Sequence, residues 1–249
     1  MQVAKMMGTV ARRLDRRFGI QALLAGEPRP PAGGFDVRGE KLLDWGFICS
    51  SLPKGPRRAL EIGSGQSPII PAMLALGYDV TAVDLCAGAT RVLSGFHFLA
   101  GDFLQLDLRP GFDVIVVCSV VEHMGLAGRY GSREDPDGDL KAMRKIAGLL
   151  AANGQVFLTV PVGMDAIWKP WHRVYGRVRL PLLIEEFDIV TCRFLVKPEP
   201  WGPWRESAAD AALDHPADAR GYALGEMILR SQQYTGWDAP RGTVRRTEV

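Results

Sequence analysis

Cysteine, long apolar runs and net charge are all scarce in this sequence, and each scarcity excludes a class of protein. The 249 residues include only 4 cysteines. These stand far apart, without the CxxC or Cys/His spacings of a zinc site and without the density of a disulfide framework. The 30 basic and 28 acidic side chains leave a net charge of +2, so a dedicated nucleic-acid binder is not expected. Isolated thiols are typical of a reducing compartment, and we expect a cytoplasmic protein.

No segment of the sequence is long and apolar enough to predict a membrane span or a secretory signal. The longest uncharged stretch, residues 146–164, contains Asn153, Gly154 and Pro161. These residues predict a helix end, a turn and a strand in place of one apolar helix. Apolar residues still make up 47% of the chain, which is enough for the core of a globular domain.

Three parts of the chain differ in composition. Residues 1–52 predict an N-terminal helical cap and linker, because apolar side chains recur at helical spacing in a basic segment that ends in prolines and glycines. Such a helix could lie on an anionic surface, but we expect it to pack on the main domain or on a second subunit of a homodimer. Residues 53–232 predict the main domain, and the polar residues 233–249 predict a tail.

Short apolar runs alternate with helical patterns through the main domain. We predict helices over residues 68–76 and 140–150. This alternation is typical of a doubly wound α/β fold with a mostly parallel sheet. The predicted sheet has seven strands, over residues 59–62, 80–84, 96–100, 113–118, 155–160, 189–196 and 222–229.

The first predicted strand ends in a turn with two glycines, Glu-Ile-Gly-Ser-Gly at residues 61–65. Gly63 and Gly65 allow a ligand to approach the backbone closely, and the helix that follows can point its N-terminus at that ligand. Asp84 ends the next predicted strand, where a carboxylate can accept hydrogen bonds from ribose hydroxyls. Dinucleotides and S-adenosylmethionine (SAM) both carry such a ribose.

Two residues of this turn favour SAM over a dinucleotide. Pro68 stands where the dinucleotide fingerprint has glycine or alanine. The carboxylate of Glu61 is also unfavourable beside a pyrophosphate, whereas it could reach the ammonium group of a methionine moiety. The sequence therefore predicts a SAM site.

Three further motifs follow in order: Ala-Gly-Asp-Phe at residues 100–103, the stretch from Phe-Asp-Val-Ile at 112–115 to Ser-Val-Val-Glu-His at 119–123, and Leu-Leu-Ala-Ala-Asn-Gly-Gln-Val at 149–156. The five motifs, in this order, resemble the class I SAM-dependent methyltransferases over about residues 53–196. Ser67 is a departure, because many members have a third glycine there. The resemblance implies a Rossmann-like fold with Asp84 on the ribose, Asp102 on the adenine amine and Phe103 against the adenine ring. The cofactor-binding residues that it implies are Glu61, Gly63, Ser64, Gly65, Asp84, Leu85, Asp102, Phe103 and Ser119.

A narrower resemblance lies in Glu-His-Met-Gly-Leu at residues 122–126, Gly-Arg-Tyr-Gly at 128–131, Asp-Pro-Asp-Gly-Asp at 135–139 and His-Arg-Val-Tyr-Gly at 172–176. It is similar to a poorly characterised methyltransferase subfamily associated with glycan and polysaccharide metabolism. This resemblance implies O-methylation of a hydroxyl on a saccharide or related metabolite. The alternatives are an aromatic or natural-product hydroxyl or amine as acceptor, or a SAM-binding subunit without turnover.

Removing the proton of an acceptor hydroxyl requires a base, and two histidines are candidates. His123 follows the fourth predicted strand, at the sheet edge where ligands bind in such folds. His172 lies in a loop rich in tryptophan and proline. Each could instead serve only to position SAM or to pack. The residues predicted to contact the acceptor, a small molecule or an oligosaccharide, are Glu122, Arg129, Tyr130, Asp137 and Trp171.

Three aspartates at residues 135, 137 and 139 leave three interpretations open. Asp137 could cap the helix that follows. The carboxylates could bind sugar hydroxyls, with Asp139 as a further catalytic candidate. They could also hold a divalent cation such as Mg²⁺, although the glutamate of a complete calcium loop is missing.

Overall fold

The computed structural model of the chain describes residues 40–65, 67–86, 94–127, 130–131, 133–198, 202–216 and 223–232. The predictions for residues 1–39 and for the tail at 233–249 lie outside these described residues. The division of the chain into cap, main domain and tail therefore stays a prediction. None of the helices in the described ranges is both long enough and apolar enough to cross a membrane.

Eight strands form one mixed sheet, and two more form a small hairpin. The order across the large sheet is β3-β2-β1-β4-β5-β10-β8-β9. The first five strands in this order are parallel to one another, and the last three pairs are antiparallel. The small sheet pairs β6 with β7. The strands are β1 Arg58–Ile62, β2 Asp79–Asp84, β3 His97–Ala100, β4 Phe112–Cys118, β5 Leu150–Val162, β6 Ala166–Trp168, β7 His172–Val174, β8 Phe187–Val196, β9 Arg205–Ser207 and β10 Ala223–Ser231.

Helices cover both faces of the large sheet. They are α1 Lys41–Ser51, α2 Ile69–Ala75, α3 Gly138–Leu149, α4 Arg179–Leu183 and α5 Ala209–Leu213, and a 3₁₀ turn spans Val121–His123. Alternate residues of each buried strand enter different cores, so Ala59 packs with α1 and α2 while Leu60 packs with α3. This two-sided burial explains the continuous apolar runs that predict a parallel sheet.

The predicted doubly wound α/β class is confirmed, and each of the seven predicted strands has a counterpart in the large sheet. The strand count needs one correction, because β9 adds an eighth strand at the edge. β9 has three residues and pairs only with the end of β8. A strand that short, with no buried residue, carries no apolar alternation from which it could be predicted.

The site is positioned by strand order. β1 lies between β2 and β4. The order of the strands therefore reverses at β1, with β2 and β3 on one side of it and β4 and β5 on the other. The crevice beyond the carboxyl ends of such strands is where open α/β sheets bind ligands.

Candidate active site

A cavity of about 710 Å³ lies at the carboxyl ends of β1, β2 and β4. This volume falls within the range of roughly 300–1,000 Å³ that small-molecule sites occupy. Every residue predicted from the resemblance to bind the cofactor lines it, as do four further predicted site residues. Those four are Glu122, His123, Tyr130 and His172.

The glycine turn after β1 requires glycine for two physical reasons. Gly63 has φ of +71°, and a Cβ there would come within 2.4 Å of Val120 Cγ2. Gly65 has φ of +49°, and its N–H donates to Asp84 Oδ2 at 2.9 Å. The other oxygen of Asp84 accepts from the Cys86 N–H at 2.8 Å. The Asp84 carboxylate therefore fixes the glycine turn and also lines the cavity.

Glu61 presents a buried carboxylate to the same cavity. The residue is 1% exposed, and neither carboxylate oxygen has a partner among the described residues at ordinary hydrogen-bond distance and angle. The Ser67 hydroxyl is the side-chain donor close enough to lower the pKa of this carboxyl. Burial raises the pKa of Glu61 from 4.5 to about 8, and the charge of Asp84 adds to the rise while the nearby Ser67 hydroxyl opposes it. A carboxylate in these surroundings favours either a proton or a cationic ligand.

Helix α1 forms a wall of the cavity that sequence patterns did not identify. Glu40, Lys41 and Trp45 line the cavity. Asp44, on the same helix, is fully buried and accepts a hydrogen bond from the Ser119 hydroxyl at 2.8 Å. The sequence offered one indication of this wall, the carboxylate of Asp44 in an otherwise apolar helical stretch. That indication does not identify Ser119, 75 residues further along the chain, as its hydrogen-bond partner.

His123 is held in one orientation by the β6–β7 hairpin. Its Nδ1 lies 2.5 Å from the carbonyl oxygen of Trp171. Because a carbonyl oxygen only accepts hydrogen bonds, we assign the proton of the neutral ring to Nδ1 and the lone pair to Nε2. Nε2 lies 3.6 Å from Glu122 Oε1, and the ring meets Tyr130 edge to face at 5.0 Å. The backbone of Trp171, whose side chain does not line the cavity, thus acts on a cavity residue.

Glu122 and His172 are the other buried polar side chains on this side of the cavity. Burial raises the pKa of Glu122 to about 8, although the nearby charge of Lys41 opposes the rise. His172 begins β7 and is 8% exposed. Both residues line the cavity together with His123, so the structure brings together the two histidines that sequence analysis selected.

Asp139 does not line the cavity, which is a correction to its selection as a catalytic candidate. Its fully buried carboxylate accepts hydrogen bonds from Tyr175 Oη at 3.1 Å and from two nitrogens of Arg179 at 2.6 and 2.9 Å. The guanidinium of Arg173, also fully buried, lies 3.6 Å away. This ion-pair cluster ties the start of α3 to β7 and α4. Arg173 also donates to the carbonyl of Met124, which follows His123.

The remaining aspartates of this segment are separated in the structure. Asp137 precedes α3 without a capping hydrogen bond from its side chain, and it lies outside the cavity beside Arg179. Asp135 lines the cavity, and its hydrogen bond from Lys141 at 2.6 Å lowers its pKa. Among the described residues, no group of three or more His, Cys, Asp or Glu side chains is arranged to hold a metal ion. Arg129 lies outside the described residues.

Replacing Asp139 by asparagine is expected to destabilise the fold without removing a reacting group. Arg173 and Arg179 would then face a neutral amide, and losing hydrogen bonds between charged groups costs about 1–3 kcal/mol. We expect denaturant titration to show a lower free energy of unfolding, with SAM affinity unchanged. A large fall in kcat at unchanged stability would instead restore Asp139 as a catalytic residue.

Comparison with known proteins supports the fold but does not identify the activity of this protein. No curated protein sequence matches the chain with significance. A family profile described as Caenorhabditis protein of unknown function, DUF268, matches residues 104–197, from the residue after Phe103 to just past the end of β8. That description assigns no activity, so it does not support the predicted link to glycan metabolism.

Several solved structures share the architecture. The 1,6-didemethyltoxoflavin-N1-methyltransferase of Burkholderia thailandensis, solved with S-adenosylhomocysteine, is 17% identical, covers 90% of this chain and 89% of its own, and has a TM-score of 0.51. The N-methyltransferase NodS of Bradyrhizobium japonicum is 18% identical over 81% and 90%, with a TM-score of 0.52. The [4+2]-cyclase SpnF is 15% identical over 89% and 95%, with a TM-score of 0.57. Likeness at these identities confirms the Rossmann-like methyltransferase fold alone.

Proposed function

We propose that the protein binds SAM in this cavity and transfers the methyl group to an acceptor. The observation that carries the proposal is the buried carboxylate of Glu61, whose oxygens have no partner at ordinary hydrogen-bond distance and angle among the described residues. A buried ionised carboxylate is unfavourable unless a cation pairs with it. The ammonium group of SAM is such a cation, and its N–H groups can donate to both oxygens.

The residues near Glu61 fit the other parts of SAM. Asp84 would hold the ribose hydroxyls at the end of β2, next to the backbone of Gly63 and Gly65. Asp102 and Phe103, after β3, would contact the adenine. Phe103 is 3% exposed and packs in the core, so Asp102 offers the more accessible contact for adenine.

When bound, SAM supplies a methyl group activated by a positively charged sulfur. The protein's part is to hold the acceptor and to take its proton. We propose His123 as the base, acting through Nε2, because the Trp171 carbonyl keeps the other ring nitrogen protonated. His172, which lines the same cavity, is the alternative base.

The acceptor that we propose is a hydroxyl of a saccharide or a related metabolite, free or in an oligosaccharide. Tyr130 lines the cavity with 44% of its surface exposed, and its ring contacts His123. Aromatic rings at a polar site offer apolar faces for a sugar ring while polar neighbours bind its hydroxyls. Glu122 and Asp135 provide carboxylate acceptors on the same side.

Methyl transfer from labelled SAM to panels of saccharides, aromatic hydroxyl compounds and amines tests the proposal. Label appearing in a saccharide supports it. Label appearing only in aromatic compounds or amines would contradict the proposed acceptor and leave the methyltransferase activity standing. Binding of SAM without transfer to any panel would contradict methyl transfer and favour a SAM-binding subunit.

Replacing Asp84 by alanine is expected to weaken SAM binding by about 1–3 kcal/mol, the usual cost of a lost hydrogen bond to a charged group. The Gly65 and Cys86 N–H groups would lose their acceptor as well, so the glycine turn would also loosen. Calorimetry measures the loss. Asp84→Asn keeps one oxygen acceptor and should lose less affinity. Unchanged SAM affinity in Asp84→Ala, or tight binding of NAD by the wild type, would overturn the assignment.

A further inference from the structure

Glu122 is a second buried carboxylate that lines the cavity, on the side of His123. It lies in the 3₁₀ turn after β4 and is 2% exposed. Its Oε2 accepts no hydrogen bond from any described residue. Its Oε1 lies 3.6 Å from His123 Nε2. Glu122 is therefore a buried side chain with unused acceptor capacity at the place where an acceptor would bind.

The charges around Glu122 are mostly negative. Lys41 and Asp44 of helix α1, together with Glu40 just before it, lie close enough to influence the pKa of Glu122. Lys41 is the one member of this group that is ordinarily cationic, and its Nζ lies 3.6 Å from Asp44. His123, 3.6 Å from Glu122 Oε1, carries a positive charge only when it is protonated. Lys41 therefore stands beside three carboxyl groups, those of Glu122, Asp44 and Glu40. Burial favours the protonated form of Glu122 until a cation pairs with it. A further cation would be favoured here, and an anion would be repelled.

The SAM of the proposed function does not supply the missing donor. Its ammonium group is already assigned to Glu61, its ribose hydroxyls to Asp84 and its adenine amine to Asp102. Its sulfonium carries no hydrogen that it could donate. The Oε2 atom of Glu122 needs an N–H or O–H donor, because an unpaired buried carboxylate oxygen is costly. A protonated amine satisfies both the hydrogen bond and the charge, and charge-assisted hydrogen bonds are about twice as strong as neutral ones.

We infer that Glu122 binds a protonated amine of the acceptor, so that the substrate class is an amino sugar or a similar amino alcohol and not an anionic sugar derivative. This inference rests on the proposed function, because it assumes that SAM occupies the Glu61 side of the cavity. His123 lies beside Glu122, so an acceptor held by its amine presents a neighbouring hydroxyl on the side of the base.

The test compares two sugars that differ in one group. Protein saturated with S-adenosylhomocysteine is titrated in a calorimeter with glucosamine and with glucose, at a pH where the amine is protonated. We expect glucosamine to bind about 10-fold more tightly or better, as a hydrogen bond to a charged group implies. In Glu122→Gln, the preference should fall to about 2-fold or less while the affinity for S-adenosylhomocysteine stays within about 3-fold.

Glu206→Gln is the matched control, since it removes the same charge from an exposed position on β9 outside the cavity. It should keep the full preference for glucosamine. Equal binding of the two sugars, binding of neither, or a preference that persists in Glu122→Gln would overturn the inference. So would a marked loss of S-adenosylhomocysteine binding in Glu122→Gln, because Glu122 would then serve the cofactor. Failure of the wild type to bind S-adenosylhomocysteine is seen before any sugar is added, and it would overturn the proposed function itself.

Discussion

The His123→Ala variant should retain SAM binding within a few-fold and lose about 10²–10⁴-fold in kcat, the usual contribution of a general base. The reason is the fixed ring orientation: the Trp171 carbonyl accepts from Nδ1, so only Nε2 can take a proton from the acceptor hydroxyl. Removing the ring should leave the residues proposed to bind SAM in place. Single-turnover measurements with labelled SAM and saturating acceptor report the change in the methyl-transfer step.

His97→Ala is the matched control for this experiment. His97 lies at the start of β3 with its side chain 78% exposed, and it does not line the cavity. Its replacement should leave kcat unchanged. If the only effect of His123→Ala is weaker SAM binding, the histidine positions the cofactor and the base is to be sought at His172. Full activity of His123→Ala would eliminate His123 as the base.

The residues proposed to bind the cofactor could be selected from the sequence because each lies in a short local motif. A glycine turn after a buried strand, an acid at the end of the next strand and an acid before an aromatic residue each occupy a few consecutive residues. Strand order then brings these short segments to one sheet edge without further information. Gly63, Asp84 and Phe103, selected from the sequence as cofactor-binding residues, line the same cavity.

The acceptor side depends on contacts between distant segments, and there the sequence was less informative. Asp135 and Asp139 have similar neighbours in the chain, yet one lines the cavity and the other is buried between Arg173 and Arg179. Only packing of β7 and α4 against α3 distinguishes the two. The carbonyl of Trp171 on His123 is a backbone contact, which no side-chain pattern could reveal.

The pH dependence of stability should differ strongly between the wild type and Glu61→Gln in the absence of ligand. The pKa of Glu61 is about 8 in the folded protein against an ordinary 4.5. Between these pH values the folded state binds more protons than the unfolded state, so stability falls as pH rises and levels off above about 8. At about 1.4 kcal/mol for each pH unit, the wild type loses on the order of 5 kcal/mol through this one carboxylate. The pKa of Glu122 is also raised by folding. Because Glu122 is present in both proteins, its effect on stability cancels when the two are compared.

Glu61→Gln should therefore be the more stable protein at pH 8.5 and the weaker SAM binder, which are effects of opposite sign from one substitution. The ammonium group of SAM pairs with the ionised carboxylate, so binding to the wild type at pH 7 should release a proton, and the variant should release none from this position. Calorimetry in two buffers with different ionisation enthalpies measures that release, and denaturant titration at pH 6 and pH 8.5 measures the stability. A variant that binds SAM as tightly as the wild type would show that Glu61 is a buried acid with no part in cofactor binding, and the proposed function would lose the observation that carries it.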